Sequence, residues 1–356
     1  MFLLNINRRI NKWGAHDPNP VKQSLVVATV VVIVLIAAAG IYAAVSLTKG
    51  PGTTSTSSTT GGAIQVVAAE NFWGSLVSQL GGIHVNVTSI VSDPNTDPHQ
   101  YQANPADAKA IANAKLIIIN GMDYDTWAGL LINASNTPGQ VVLNAQQIVG
   151  LSDAEIATVN PHLWYSPWYV NDTVHAMYGA LVKMDPADTA YFTANYAGLN
   201  SSLYQDYMKA EQQMRAEYGG ASSTIIGSVL RQYSGDVNIS ATESIVQFLA
   251  NATGLNILTP VPFMFAVAEG DDPSPADIAT FQQQLALGNQ SDRCLVYNIQ
   301  TVSPVTQQLK TVASQNQVPI TDVSETVQPA TLTFQAWQQG EVAGLQNCLN
   351  SVALGN

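Results

Sequence analysis

The stretch PADTAYFTANYAGLNSSLYQDYMKAEQQMRAEY, from Pro186 to Tyr218, places Ala, Leu, Met, Gln and Glu at helical spacing with no internal proline. Gly198 is its only weak point. About 33 residues rising 1.5 Å each span roughly 50 Å, which predicts one long helix in the middle of the chain. On both sides of it, short apolar runs alternate with amphipathic segments. That pattern belongs to layered α/β structure with parallel sheets.

Before the long helix, Ile64–Ala68, Val85–Val91, Leu116–Asn120 and Val141–Asn144 read as strands. Helices are expected over Phe72–Leu80, stopped by Gly81-Gly82, from Pro105 through Ala114, and over Tyr124–Ala134. After it, strands are expected at Thr224–Ser228, Leu295–Asn298 and Pro319–Val323. The helices there are Glu243–Ala252, ended by Gly254, then Pro275–Leu287, Val305–Ala313 and Leu332–Val352. The fold class is therefore α/β, with one lobe over 63–185, a connecting helix over 186–218 and a second lobe over 219–356.

Upstream, Leu25–Leu47 (LVVATVVVIVLIAAAGIYAAVSL) carries no charge and slightly exceeds the roughly 20 residues that cross a bilayer. Arg8, Arg9, Lys12 and Lys22 precede it, so a basic segment over 1–24 is expected in the cytoplasm and the body outside. A cleaved signal peptide is the rival reading, although its apolar core is usually only about 7–15 residues. Residues 48–62, TKGPGTTSTSSTTGG, have no apolar periodicity and read as a linker. The expected location is the cell membrane, single-pass, with the folded body extracytoplasmic. Seven Asn-x-Ser/Thr sequons, at Asn86, Asn133, Asn171, Asn200, Asn238, Asn251 and Asn289, agree weakly with an extracellular, glycosylated setting.

The net charge of −12 is unevenly spread. Residues 1–49 hold five of the 13 basic residues and one of the 25 acidic ones, leaving eight against 24 beyond, a net −16. No basic stripe is available to neutralise phosphates, so nucleic acid is excluded as a partner. Neither a P-loop nor a GxSxG, CxxC or Rossmann glycine string occurs. The two cysteines, Cys294 and Cys348, suggest one disulfide outside the cell, with two separate buried thiols as the alternative.

Four short motifs carry possible metal ligands: Asp97-Pro98-His99-Gln100-Tyr101, Asn160-Pro161-His162-Leu163-Trp164, Ala241-Thr242-Glu243-Ser244 and Val323-Ser324-Glu325-Thr326. Two imidazoles and two carboxylates suit a hard-to-borderline divalent cation. They lie too far apart to form a local knuckle, so only a folded two-lobed body unites them. Separately, a lone loop histidine is usually just exposed, and a glutamate opening a helix simply complements the macrodipole. His84 and His175 have no such motif context and read as structural. His16 falls on the cytoplasmic side. The acidic group Glu269, Asp271 and Asp272 lacks EF-hand spacing.

In order and surroundings these motifs resemble the zinc- and manganese-binding solute-binding proteins of ABC metal importers, over nearly the whole chain beyond residue 63. The resemblance implies two Rossmann-like α/β lobes joined by one long rigid helix, with His99, His162, Glu243 and Glu325 as metal ligands. It also implies a disulfide from a C-lobe strand to the last helix, matching Cys294 and Cys348. The implied partners are a divalent metal cargo, Zn²⁺ or Mn²⁺, one per chain, and an ABC permease with its ATPase. In the family the third ligand is histidine in zinc-type members and glutamate in manganese-type ones. The fourth is usually aspartate, so Glu325 departs from the pattern. Glu243 and the missing histidine-rich loop point toward Mn²⁺ as cargo, while Zn²⁺ binds such sites more tightly. A metal-dependent hydrolase or an adhesin are the alternatives, but no acid or base beyond the four ligands stands ready for hydrolysis, and no enzyme activity is expected.

Overall fold

The computed structural model describes residues 62–153, 160–218, 222–226, 230–234 and 236–351. The apolar run 25–47, with its basic flank and nearly all of the linker, lies outside the described residues. Among the described residues no helix is long and apolar enough to cross a membrane.

The first lobe is a parallel four-stranded sheet in the order β2-β1-β3-β4, with β1 at Ile64–Glu70, β2 at Val85–Val91, β3 at Leu116–Ile119 and β4 at Val141–Asn144. The inner strands are buried on both faces, as parallel sheets require. Val66, Ala68, Leu116 and Ile118 point into one core, and Val67, Ala69, Ile117 and Ile119 into another. This is the two-residue alternation of a strand. The helix Asn71–Gly81 seals the first face with Phe72, Trp73, Leu76, Val77 and Leu80, all fully buried. It ends at Gly82, whose φ of 50° and approach to Tyr191 leave no space for a Cβ.

The connector is helical throughout but not uniform. A helix over Thr189–Ser202 passes into a π-turn at Leu203–Met208 and resumes as Lys209–Tyr218. The irregularity falls at the π-turn rather than at Gly198, and Leu203 and Tyr207 are buried there. A preceding helix, Pro167–Met184, has Pro167 at its first turn and Ser166 capping the Tyr169 N–H.

The second lobe corrects one expectation. Residues Ser222–Ile226 (β5) pair antiparallel with Leu230–Ser234 (β6) in a separate hairpin. The strand that enters the parallel sheet is Asn238–Ala241 (β7), short and half polar, which is why no apolar run announces it. With β8 at Asn256–Ile257, β9 at Leu295–Asn298 and β10 at Ile320–Val323, the sheet order is β10-β9-β7-β8, all parallel. Helices Pro304–Gln315 and Phe334–Ser351 flank it. Cys294, at the head of β9, is bonded to Cys348 on the last helix, with Cα atoms 5.8 Å apart.

Ile239, Ala241, Val296, Val323, Phe334 and Trp337 join the same continuous core as Phe72 and Trp164. Polar links cross as well. Asn71 Nδ2 donates to the Val327 carbonyl at 3.2 Å, and the Val327 N–H returns to Asn71 Oδ1 at 2.9 Å. A largely apolar contact of this kind resists wide hinge opening.

Candidate metal centre

Each candidate side chain leaves a loop at the C-terminal edge of a sheet, where open α/β sheets place ligands. His99 sits in a 3-10 turn, Pro98–Gln100, after β2. Asp97 Oδ1 accepts the His99 N–H at 3.0 Å and fixes that turn. Downstream, Asp107 Oδ2 accepts the Tyr101 hydroxyl at 2.8 Å and the Asn104 N–H at 2.7 Å, tying the loop to the capped helix Pro105–Asn113.

His162 is held from three sides. Asn120 Nδ2 donates to the Pro161 carbonyl at 2.9 Å, and Asp125 Oδ2 accepts the Asn120 N–H at 2.6 Å. The His162 Nδ1–H donates to Asn160 Oδ1 at 2.5 Å. The Asn160 amide is oriented in turn because its Nδ2 donates to the Ser244 carbonyl. This network assigns the tautomer and leaves Nε2 as the bare, ligand-competent nitrogen. Trp164 packs edge-on at 5.2 Å between centroids, and Tyr124 does the same against His99 at 4.8 Å.

Glu243 does not open a helix. It stands in the turn just after β7, and the helix begins only at Gln247. It is fully buried, so the macrodipole reading does not describe its setting. Glu325 follows β10; its N–H and that of Thr326 donate to Gln300 Oε1 at 2.7 and 3.0 Å. Gln300 Nε2 reaches across to the Thr96 carbonyl of the His99 loop at 2.9 Å.

The structure brings all four side chains together, with one donor atom from each inside a 4.8 Å cluster. The two Nε2 atoms are 3.3 Å apart. Glu325 Oε2 lies 3.3 Å from His99 Nε2 and 3.7 Å from His162 Nε2. Glu243 Oε1 lies 3.9 Å from His162 Nε2. Only His99 touches solvent, at 10% side-chain exposure; Glu325 is at 0%. Glu243 Oε2 is buried with no hydrogen-bond partner among the described residues. A buried carboxylate oxygen left unsatisfied is costly unless a cation or proton meets it.

The electrostatics are those of a cation site with protons standing in. Burial opposes a charge on His99, but the surrounding carboxylates, Glu325 foremost and then Glu243 and Asp97, together outweigh burial and raise the imidazole to about 9. Burial, then repulsion by Glu325, pushes Glu243 up to about 8. Burial lowers His162. Burial also works against ionised Glu325, yet the two histidines hold it well below the usual carboxylate range. One carboxylate stays charged, and a proton on His99 compensates it.

Sequence reasoning passed over the residues that support these four: Tyr124, Asn160, Asn298 and Gln300. A signal existed for Asn298, which closes a strand facing the ligand edge of the sheet. The two other histidines among the described residues stand elsewhere. His84 Nδ1 pairs with Asp188 at 3.0 Å and lies 3.9 Å from Asp185, forming a partly exposed cluster. His175 Nδ1 meets the Tyr196 hydroxyl at 3.2 Å.

A family model described as zinc-uptake complex component A, periplasmic, matches residues 66–348. Among curated proteins, the zinc-binding protein TroA of Treponema pallidum is 30% identical over 115 residues, covering 31% of this chain and 36% of that protein. The manganese-binding lipoprotein MntA of Bacillus subtilis is 29% identical over 147 residues, covering 40% and 47%. The chain thus matches less than half the length of either relative. Among solved structures, FpvC of Pseudomonas aeruginosa in complex with Mn²⁺ superposes with a TM-score of 0.63 at 19% identity, covering 81% of this chain and 99% of that one. The periplasmic zinc-binding protein TroA gives 0.62 at 17%, covering 82% and 99%. At these identities the structural likeness establishes the fold.

Proposed function

Because the chain belongs to the zinc-uptake complex component A family, we propose that it is the extracytoplasmic substrate-binding component of an ABC-type importer for a divalent metal. The cargo is Zn²⁺ or Mn²⁺, held as one ion by His99, His162, Glu243 and Glu325. The observation that carries this reading is the 4.8 Å cluster of two imidazoles and two carboxylates drawn from both lobes. The bare His162 Nε2, the Glu243 carboxylate that faces it through Oε1 at 3.9 Å, and the orphaned Oε2 of the same carboxylate fit a bound cation.

Capture follows from the same geometry. His99 is the exposed member, so an ion arriving from solvent meets it first and then the buried three. Ligand exchange strips water from the ion as both histidines and both glutamates take its place. Handover to the permease needs the His99 loop to part from the second lobe, and the Thr96–Gln300 bond and the His99–Glu325 contact are among those that must break. A hydrolase needs an open coordination position and room for substrate, and four donors, three of them fully buried, leave little of either.

In this reading residues 1–24 are cytoplasmic, 25–47 anchor the protein in the membrane, and 48–62 form the linker. Lobes 63–185 and 219–356 grip the ion, with 186–218 joining them. The partners are a membrane permease and its ATPase.

Elemental analysis of the purified protein after dialysis tests the proposal. One equivalent of zinc or manganese, without hydrolytic activity toward ester or phosphate substrates, is expected. A protein that retains no metal after exposure to either ion would overturn it.

A further inference from the structure

Asn298 ends β9, the strand between β10 and β7, and those two neighbours deliver Glu325 and Glu243. Its side-chain amide has a fixed orientation, because the Gln300 N–H donates to Asn298 Oδ1 at 2.9 Å. Nδ2 must then face the carboxylates. It lies 2.6 Å from Glu243 Oε1 and 2.7 Å from Glu325 Oε1. An amide NH₂ carries two hydrogens, so each glutamate receives one. The Asn298 N–H donates to Thr242 Oγ1 at 3.1 Å, and the residue is fully buried.

The remaining oxygens have different surroundings. Glu325 Oε2 accepts the Tyr124 hydroxyl at 2.7 Å and faces both imidazoles. Glu243 differs: Oε1, the oxygen that Asn298 holds, is also the one that faces His162 Nε2 at 3.9 Å, while Oε2 has no hydrogen-bond partner among the described residues. Resting on the ligand set proposed above, we propose that Asn298 is a positioning residue that sets cargo selectivity. By tying one oxygen of each glutamate, it discourages either carboxylate from gripping an ion through both atoms. The site then offers about four donors, the number Zn²⁺ prefers. Mn²⁺ favours a larger, oxygen-rich shell and is disfavoured. The sheet enforces this, because the clamp sits on the central strand and reaches equally to both sides.

Titrations of Zn²⁺ and Mn²⁺ against the parent and Asn298→Ala test the idea, with the visible spectrum of the Co²⁺-loaded parent as a second readout. Loss of the clamp should weaken Zn²⁺ by about tenfold or more, in line with losses of outer contacts at metal sites. Mn²⁺ should weaken less or gain, so that the Zn²⁺/Mn²⁺ affinity ratio narrows. The Co²⁺-loaded parent should show the intense bands of four-coordination. An unchanged ratio, whether both affinities stay or fall together, would overturn the selectivity role while leaving the four ligands in place. A weak, six-coordinate Co²⁺ spectrum in the parent would overturn it even if the variant fails to fold. Absence of metal binding by the parent would overturn both this inference and the proposed function.

Discussion

The Tyr124 hydroxyl donates to Glu325 Oε2 at 2.7 Å, joining residues 201 positions apart and one lobe to the other at the metal cluster. Burial, and then the Glu325 charge, raises the Tyr124 phenol well above its usual range, so it remains a donor at any physiological pH. Tyr124 also packs edge-on against His99. One side chain therefore restrains a ligand from each half.

Replacing Tyr124 by Phe keeps the ring and removes the donor. Zn²⁺ affinity should fall by about tenfold, or ~1.4 kcal/mol, with the fold intact. Competition titration against a chelating dye measures the change, and an unaltered affinity would show that the hydroxyl does not position Glu325.

Metal binding should release protons. At pH 7 a His99 raised to about 9 and a Glu243 raised to about 8 both hold protons in the absence of a cation. Both must lose them to coordinate. Lowered His162 and lowered Glu325 are already unprotonated and contribute none. Affinity should therefore rise with pH from about 6 to 9, with about one to two protons released per ion near neutrality. Calorimetry in buffers of different ionisation enthalpy counts them. Affinity independent of pH over this range would contradict the assigned protonation.

The Cys294–Cys348 bridge closes a sequence separation of 54 residues. Chain entropy gives roughly 4 kcal/mol as an upper bound on its stabilisation. A double serine variant should lose a sizeable part of that in urea unfolding. Its metal affinity should change little, because the bridge lies at the opposite end of β9 from Asn298. Equal unfolding midpoints with and without the bridge would remove it from the account of stability.

The sequence makes the ligand loops and the buried strands legible for physical reasons. Leu116–Ile119 and Leu295–Asn298 are wholly buried in parallel sheets and read as unbroken apolar runs. His99 and His162 sit in proline-marked turns that local chemistry specifies. β7 was illegible because Asn238-Ile239-Ser240-Ala241 has no apolar run, and with it went the setting of Glu243. The π-turn at Leu203–Met208 also left no mark, although Leu203 and Tyr207 within it are buried in the main core. Gln300 and Tyr124 act through partners far away in the chain, and no local pattern distinguishes them from ordinary polar residues; for Asn298 the only local sign is its place at the end of the buried strand Leu295–Asn298.

An anomalous difference map from a zinc-loaded crystal, collected at the zinc edge, addresses the central claim most directly. One strong peak is predicted within about 2.0–2.2 Å of His99 Nε2, His162 Nε2 and one oxygen each of Glu243 and Glu325. A principal peak elsewhere, for instance at the His84, Asp185 and Asp188 cluster, or no peak among the four, would contradict the account.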